Sequence, residues 1–66
     1  MTITCTTLLA AAKVVAVLTT AQLRIGLDYR VEPPEPFEPP TTFTILVDLP
    51  ASILDQLRAI PDTTIN

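Results

Sequence analysis

Histidine and tryptophan are missing from this chain, which also has one cysteine, one glycine and four basic residues. Each shortage removes a class of function. Without histidine the commonest general base is gone, and Cys5 and Ser52 have no imidazole to activate them as nucleophiles. A zinc site would have to be built from Cys5 and carboxylates, a poor donor set for that ion. A single cysteine closes no intrachain disulfide, and a lone thiol suits a reducing compartment. Gly26, the one glycine, cannot form a phosphate-cradling loop, which needs several glycines ahead of a helix. Seven acids against four bases give a net charge of −3, whereas affinity for nucleic acid rests on neutralising phosphates with Lys and Arg. We therefore expect no catalytic residue, no metal, no cofactor and no nucleic-acid partner.

Long apolar runs are lacking too. Residues 8–18 come nearest, and Lys13 interrupts them. A spanning helix needs about 20 apolar residues. A secretory signal needs a basic region before its apolar stretch, and residues 1–7 carry no charged side chain. The expectation is no membrane partner, no export by a signal peptide, and a place in the cytoplasm or in a virion.

What is present is apolar and alternating. The apolar fraction of 48% excludes wholesale disorder, and 66 residues make one domain. So short a chain buries only about 60% of the surface its unfolded form exposes. Small domains usually add disulfides, a metal or a partner. With the first two set aside, a partner is expected.

Residues 1–6 place Met1, Ile3 and Cys5 on one side and Thr2, Thr4 and Thr6 on the other, which reads as a first strand. Cys5 on the apolar side is expected to be a small core residue with an unreactive thiol, having no positive neighbour in sequence to lower its pKa. Thr6 or Thr7 can cap a helix over 8–22. Leu8, Ala11, Ala12, Val15 and Leu18 are its expected core face. The opposite face carries Ala10, Lys13, Val14, Val17, Thr20 and Ala21, which is very apolar for a helix back bathed in water. Two readings stay open: scattered small residues of the kind surfaces tolerate, or a second contact surface.

Residues 23–32 alternate for their whole length, with Leu23, Ile25, Leu27, Tyr29 and Val31 against Arg24, Gly26, Asp28, Arg30 and Glu32. This is the longest such run, and it predicts a strand with one dry face. Gly26 inside it points to a bulge or a close backbone approach. Cross-strand ion pairs, each worth little, are expected on the wet face. Residues 31–40 then hold five prolines and three glutamates. Such a segment can be neither helix nor central strand. A stiff, extended arm over 33–40 is expected, with Phe37 as its one large apolar group. Pro33, Pro36 and Pro39 match the spacing read by aromatic grooves, but an acidic connection kept stiff and soluble explains the same residues.

Residues 41–49 alternate again, with Phe43, Ile45, Val47 and Leu49 inward and Leu46 as an exception on the polar side. Together with 23–32 they predict a hairpin. Pro50 opens a helix over 51–60, with Ser52 and Asp55 as an overlapping capping pair and Ile53, Leu57 and Ile60 as its stripe. Pro61 ends it. The tail 61–66 allows a stub of strand at most. The order is that of an α+β, ferredoxin-like βαββα(β) sandwich: an antiparallel sheet with two helices on one face and a last strand that is short or missing.

Residues 43–50, read with Leu54, Leu57, Arg58, Ala59, Ile60 and Pro61, resemble the last strand–helix unit of ACT-type regulatory domains, where an apolar strand ends in Asp-x-Pro and a short helix in Leu-Arg-x-Ile-Pro. The likeness covers residues 43–61. It implies a ferredoxin-like fold, pairing through sheets or helices, and amino-acid binding at the pair interface. The family's ligand loop at the first strand–helix junction is rich in Gly and Asn or Asp. Here Cys5, Thr6 and Thr7 stand there, so no ligand residue carries over.

The function expected from these features is that of a non-enzymatic structural or interaction subunit of a larger assembly, such as a decoration, capsid or tail protein of a phage particle. Its partner would be protein, itself included, in a homo-oligomer. Expected contacts are Ala10, Lys13, Val14, Val17 and Ala21 on the helix, Phe37 on the arm, and Ile65 on the sheet edge. The alternative is an ACT-like domain that binds a small molecule.

Overall fold

The computed structural model describes residues 1–32 and 38–66. Their elements are β1 (Thr2–Cys5), α1 (Leu8–Thr20), β2 (Tyr29–Glu32), β3 (Thr41–Ile45), α2 (Ala51–Arg58) and β4 (Thr63–Ile65). The sheet order is β2-β3-β1-β4, and all three neighbouring pairs are antiparallel. This is the ferredoxin-like α+β arrangement, with its fourth strand present and three residues long.

The centre of the sheet follows the alternation directly. Ile3 faces Phe43 and Cys5 faces Thr41 across β1 and β3, and all four are fully buried. Tyr29 of β2 sets its ring 6.2 Å from Phe43 in a tilted contact, an arrangement worth about 0.5–1.5 kcal/mol beyond area burial. Leu18 of α1 and Leu57 of α2 close over this layer, and Ile53 and Ile60 pack beside Leu57. Each fully buried aliphatic or aromatic side chain contributes roughly 1.5–3 kcal/mol. The other face of the sheet is polar. Two rows cross it: Arg30, Thr44 and Thr2, then Glu32, Thr42, Thr4 and Thr64. One defect lies in the core, where the Thr41 hydroxyl is buried with no hydrogen-bond partner among the described residues.

α1 begins where expected: Thr7 is the N-cap, its hydroxyl accepting from the Ala10 N–H at 3.1 Å. The helix is rotated from its expected setting. Ala10, Ala11, Val14 and Leu18 are buried, whereas Leu8 and Leu9 are exposed. Ala10 and Val14 therefore belong to the core, not to the outward face, which instead carries Leu9, Ala12, Lys13 and Ala16. Alanines and valines surround this helix, so several rotations offer similar apolar stripes. Tertiary packing chose the one with spacing 10, 11, 14, 18.

The strand expected over 23–32 is the largest correction. Only Tyr29–Glu32 pairs with β3. α1 ends in a Schellman-type stop, with Gln22 N–H on the Thr19 carbonyl at 2.9 Å and Leu23 N–H on the Leu18 carbonyl at 3.0 Å. Gln22 takes the left-handed conformation there (φ 67°), and Leu23 packs on the core. A tight turn follows. Asp28 closes it, accepting the Arg24 N–H on Oδ2 and donating its own N–H to the Arg24 carbonyl, both at 2.8 Å. Gly26 supplies φ 84° within it. The short polar side chain of Asp28 gave the backbone an alternative to the ladder. Ile25 and Leu27, expected in the core, are exposed. Arg24 and Asp28, expected on the wet face of that strand, instead make a loose contact with each other within this turn, 3.9 Å apart.

β3 ends at Ile45. Ile45 donates to the Met1 carbonyl and Leu46 to the Asp28 carbonyl. Beyond Leu46 the turn carries the β2 line away. Val47, expected inside, is exposed, and Leu49 is half-buried. α2 is shorter than 51–60, with Pro50 as its N-cap and, among the described residues, no side-chain cap bond from Ser52 or another residue. The Phe37 contact and most of the arm fall on residues 33–37, outside the described residues. Glu38, Pro39 and Pro40 are exposed.

Candidate functional site

Antiparallel pairing gathers chain segments at the two ends of the sheet. One end collects the start of β1, the end of β3 and the turn before β2. Two hydrogen bonds join them: Ile45 N–H to the Met1 carbonyl at 2.8 Å, and Leu46 N–H to the Asp28 carbonyl at 2.9 Å. Five of the seven large apolar side chains that are exposed among the described residues lie here: Met1, Ile25, Leu27, Leu46 and Val47. The most open are Ile25 at 59% and Leu27 at 61%. Isolated exposed apolar residues need no explanation, but a convergence of them does.

Beside this patch runs an open groove of about 460 Å³, lined by Met1, residues 45–49 and Leu54. It is apolar except for Asp48 and the backbone. No backbone hydrogen bond from the N–H groups of Val47, Asp48 or Leu49, three residues that line the groove, is found among the described residues. The expected helix contacts divide differently. Lys13 is exposed, Val17 and Ala21 are half-buried, and Ala10 and Val14 are core residues that could meet a partner only by opening the fold. Ile65 is half-buried against the core from the edge strand.

At the other end lies the junction of β1 and α1. Cys5 is fully buried, and burial pushes its thiol pKa up, with a partly opposing contribution from the Thr63 hydroxyl 3.9 Å away. A thiol raised in this way is not a nucleophile at neutral pH. The Thr6 hydroxyl donates to the Asp62 carbonyl, and that of Thr7 caps α1. The groove is thus at the opposite end from the junction where an ACT-type ligand loop would stand. Among the described residues no group of three or more cysteine and carboxylate side chains is placed to hold a metal ion, and no helix is long and apolar enough to cross a membrane.

The sequence reading missed this end because it put Ile25, Leu27 and Val47 on the dry faces of full-length strands. Two signals could have found it. Gly26 and Asp28 are turn formers inside the longest alternation, and Leu46 breaks the alternation of the next run. No protein-family model matches the chain, and neither a curated protein nor a solved structure matches it.

Proposed function

We propose that the chain is a non-catalytic interaction subunit whose apolar sheet end docks on protein within a larger assembly. The observation that carries this reading is that exposed Met1, Leu46 and Val47 line the groove, while exposed Ile25 and Leu27 stand on the turn that Asp28 bonds to Leu46. Ile25, Leu27 and Leu46, each about half exposed or more, offer together about 2–5 kcal/mol on full burial. Association costs an estimated 4–15 kcal/mol in rigid-body freedom before any net affinity appears. A contact of this size holds when many copies bind together, since linked sites gain by effective concentration. A repeating particle, such as a phage virion, is the setting we propose. The test is co-sedimentation with particles from the native source, comparing the natural chain with Leu27→Asp/Leu46→Asp. Loss of binding with an unchanged circular dichroism spectrum is expected. Equal binding of both chains overturns the reading.

A second reading, an ACT-type domain sensing a small molecule, is favoured by the ferredoxin-like fold and by a groove within the 300–1,000 Å³ range of ligand sites. Thermal shift with a panel of amino acids decides it, because binding raises stability as ln(1 + [L]/Kd). A flat panel discards it.

A further inference from the structure

The two edges of the sheet are built differently. On the β2 edge, the Leu46–Asp28 bond sets the alternation, so Arg30 and Glu32 turn their backbone groups toward β3 while Tyr29 and Val31 turn theirs outward. The chain itself covers the start of this edge. Ile25 bridges Tyr29 in parallel, and Gly26 N–H donates to the Tyr29 carbonyl at 2.7 Å. After Glu32 come Pro33 and Pro34, which have no N–H to offer. This is an edge guarded against pairing.

The β4 edge has no such guard. Thr2 and Asn66 exchange both backbone bonds, at 3.0 and 2.9 Å, and Thr6 N–H reaches the Asp62 carbonyl at 3.0 Å. Residues 62, 64 and 66 therefore face β1, and Thr63 and Ile65 direct N–H and C=O outward. No backbone bond to those four groups is found among the described residues. The strand carries no charge, no proline and no bulge, which are the usual protections of an open edge.

We infer that β4 pairs with β4 of a second copy of this chain, antiparallel and across a two-fold axis at Thr64. The outward residues 63 and 65 are symmetric about 64. Thr63 then bonds Ile65 of the second copy, and Ile65 bonds Thr63, so that all four outward groups on each chain are paired. Because the other edge is covered at its start and followed by two prolines without N–H groups, like edge meets like edge, and the assembly closes as a dimer instead of growing as a fibre. The product is one eight-stranded antiparallel sheet. Its helices stand on one face and its threonine rows run on across the other. Ile65 packs beside Thr63 of the second copy under the helices. This rests on the proposed function only in treating the chain as an interaction module; the surface is a separate one.

At the axis the two Thr64 side chains meet as a directly opposed pair, with Cα atoms about 4.5 Å apart. Thr64 is exposed in the single chain, so Thr64→Glu and Thr64→Lys leave the monomer fold intact but place like charges opposite each other. Sedimentation equilibrium is expected to give twice the 7.2 kDa chain mass for the natural protein. It should give the single mass for either variant alone and the doubled mass when the two are mixed. Thr64→Cys should form a covalent dimer on mild oxidation, since the opposed Cα distance lies in the disulfide range and Cys5 is buried. A natural chain of single mass at every concentration overturns the inference, as does a dimer indifferent to Thr64→Glu. A dimer lost in Leu27→Asp/Leu46→Asp but kept in Thr64→Glu places self-association at the apolar end, ending this inference while leaving the proposed function standing.

Discussion

The centre of the sheet and its apolar end are made of the same kinds of side chain, and they have opposite fates. Ile3, Phe43 and Leu57 are fully buried, whereas Ile25, Leu27 and Leu46 stand about half in water or more. Hydrophobicity does not separate them. Cover does. A strand over all of 23–32 would be about 33 Å long, and α1, with thirteen residues, reaches only about 20 Å. A hairpin of that length would outrun the helices meant to shield it. The chain instead turns at Gly26 and Asp28, and β3 stops at Ile45. Alternation says which side of a strand is dry; the partner elements say how far the strand runs.

The difference can be broken most severely from the centre. Phe43→Ala should cost about 3–5 kcal/mol, the usual range for losing a buried phenyl ring. For a domain of this length, total stability of roughly 3–10 kcal/mol is expected, so the variant should be largely unfolded or close to it in a urea titration followed by circular dichroism. A loss under about 1 kcal/mol would show that the centre is no better covered than the end.

The centre also has a flaw that a substitution can remove. Thr41 faces Cys5 at the start of β3, and its hydroxyl is fully buried without a partner among the described residues. An unsatisfied buried hydroxyl costs about 1–3 kcal/mol. Thr41→Val keeps the shape and removes the polar atom, so the urea midpoint should rise, by about 1–2 kcal/mol in stability. An unchanged or lower midpoint would mean that the hydroxyl has a partner in solution.

Much of this was legible. The strand at 1–6, the first half of the strand expected over 41–49, the Thr7 cap, the second helix with its Ile53, Leu57 and Ile60 stripe, and the ferredoxin-like order all follow from period and punctuation. The setting of α1 was not legible, because Ala10, Val14 and Val17 make as good an apolar stripe as Leu8, Ala11 and Val15. The end of α1 was hidden too. Its left-handed stop is made by Gln22, where the usual signal is a glycine. The candidate site was misread for a related reason: Ile25 and Leu27 keep perfect alternation through a turn. Gly26 and Asp28 were the evidence against a strand, and they stood on the side that the pattern already allowed to be polar.

The turn that parts the two regions can be tested at Gly26. A Cβ there would meet nothing within 4 Å, so any cost comes from φ 84° alone. Gly26→Ala should lose about 1 kcal/mol, since left-handed backbone is strained for a residue with a side chain. Gln22→Gly should act in the opposite sense, by a similar or smaller amount, because Gln22 already bears that strain. If both substitutions destabilise, the turn is not the conformation that ends α1 and starts β2.

The smallest expected effect is the most telling about the apolar end. Leu27 is 61% exposed on the turn, outside the core cluster. Removing an exposed apolar side chain takes almost nothing from the folded state and can relieve a solubility cost. Leu27→Ser should therefore change unfolding free energy by less than about 0.5 kcal/mol, the usual bound for surface positions. A core leucine cut to alanine costs about 2–5 kcal/mol, so the two outcomes are well separated by one urea titration. A loss above about 2 kcal/mol would place Leu27 under cover in solution, either within its own chain or against another copy. Repeating the titration at tenfold lower protein distinguishes them, because stability drawn from association falls with dilution and stability drawn from the monomer does not. A near-zero loss leaves Leu27 as a side chain that the fold does not use, which is the condition for a partner to use it.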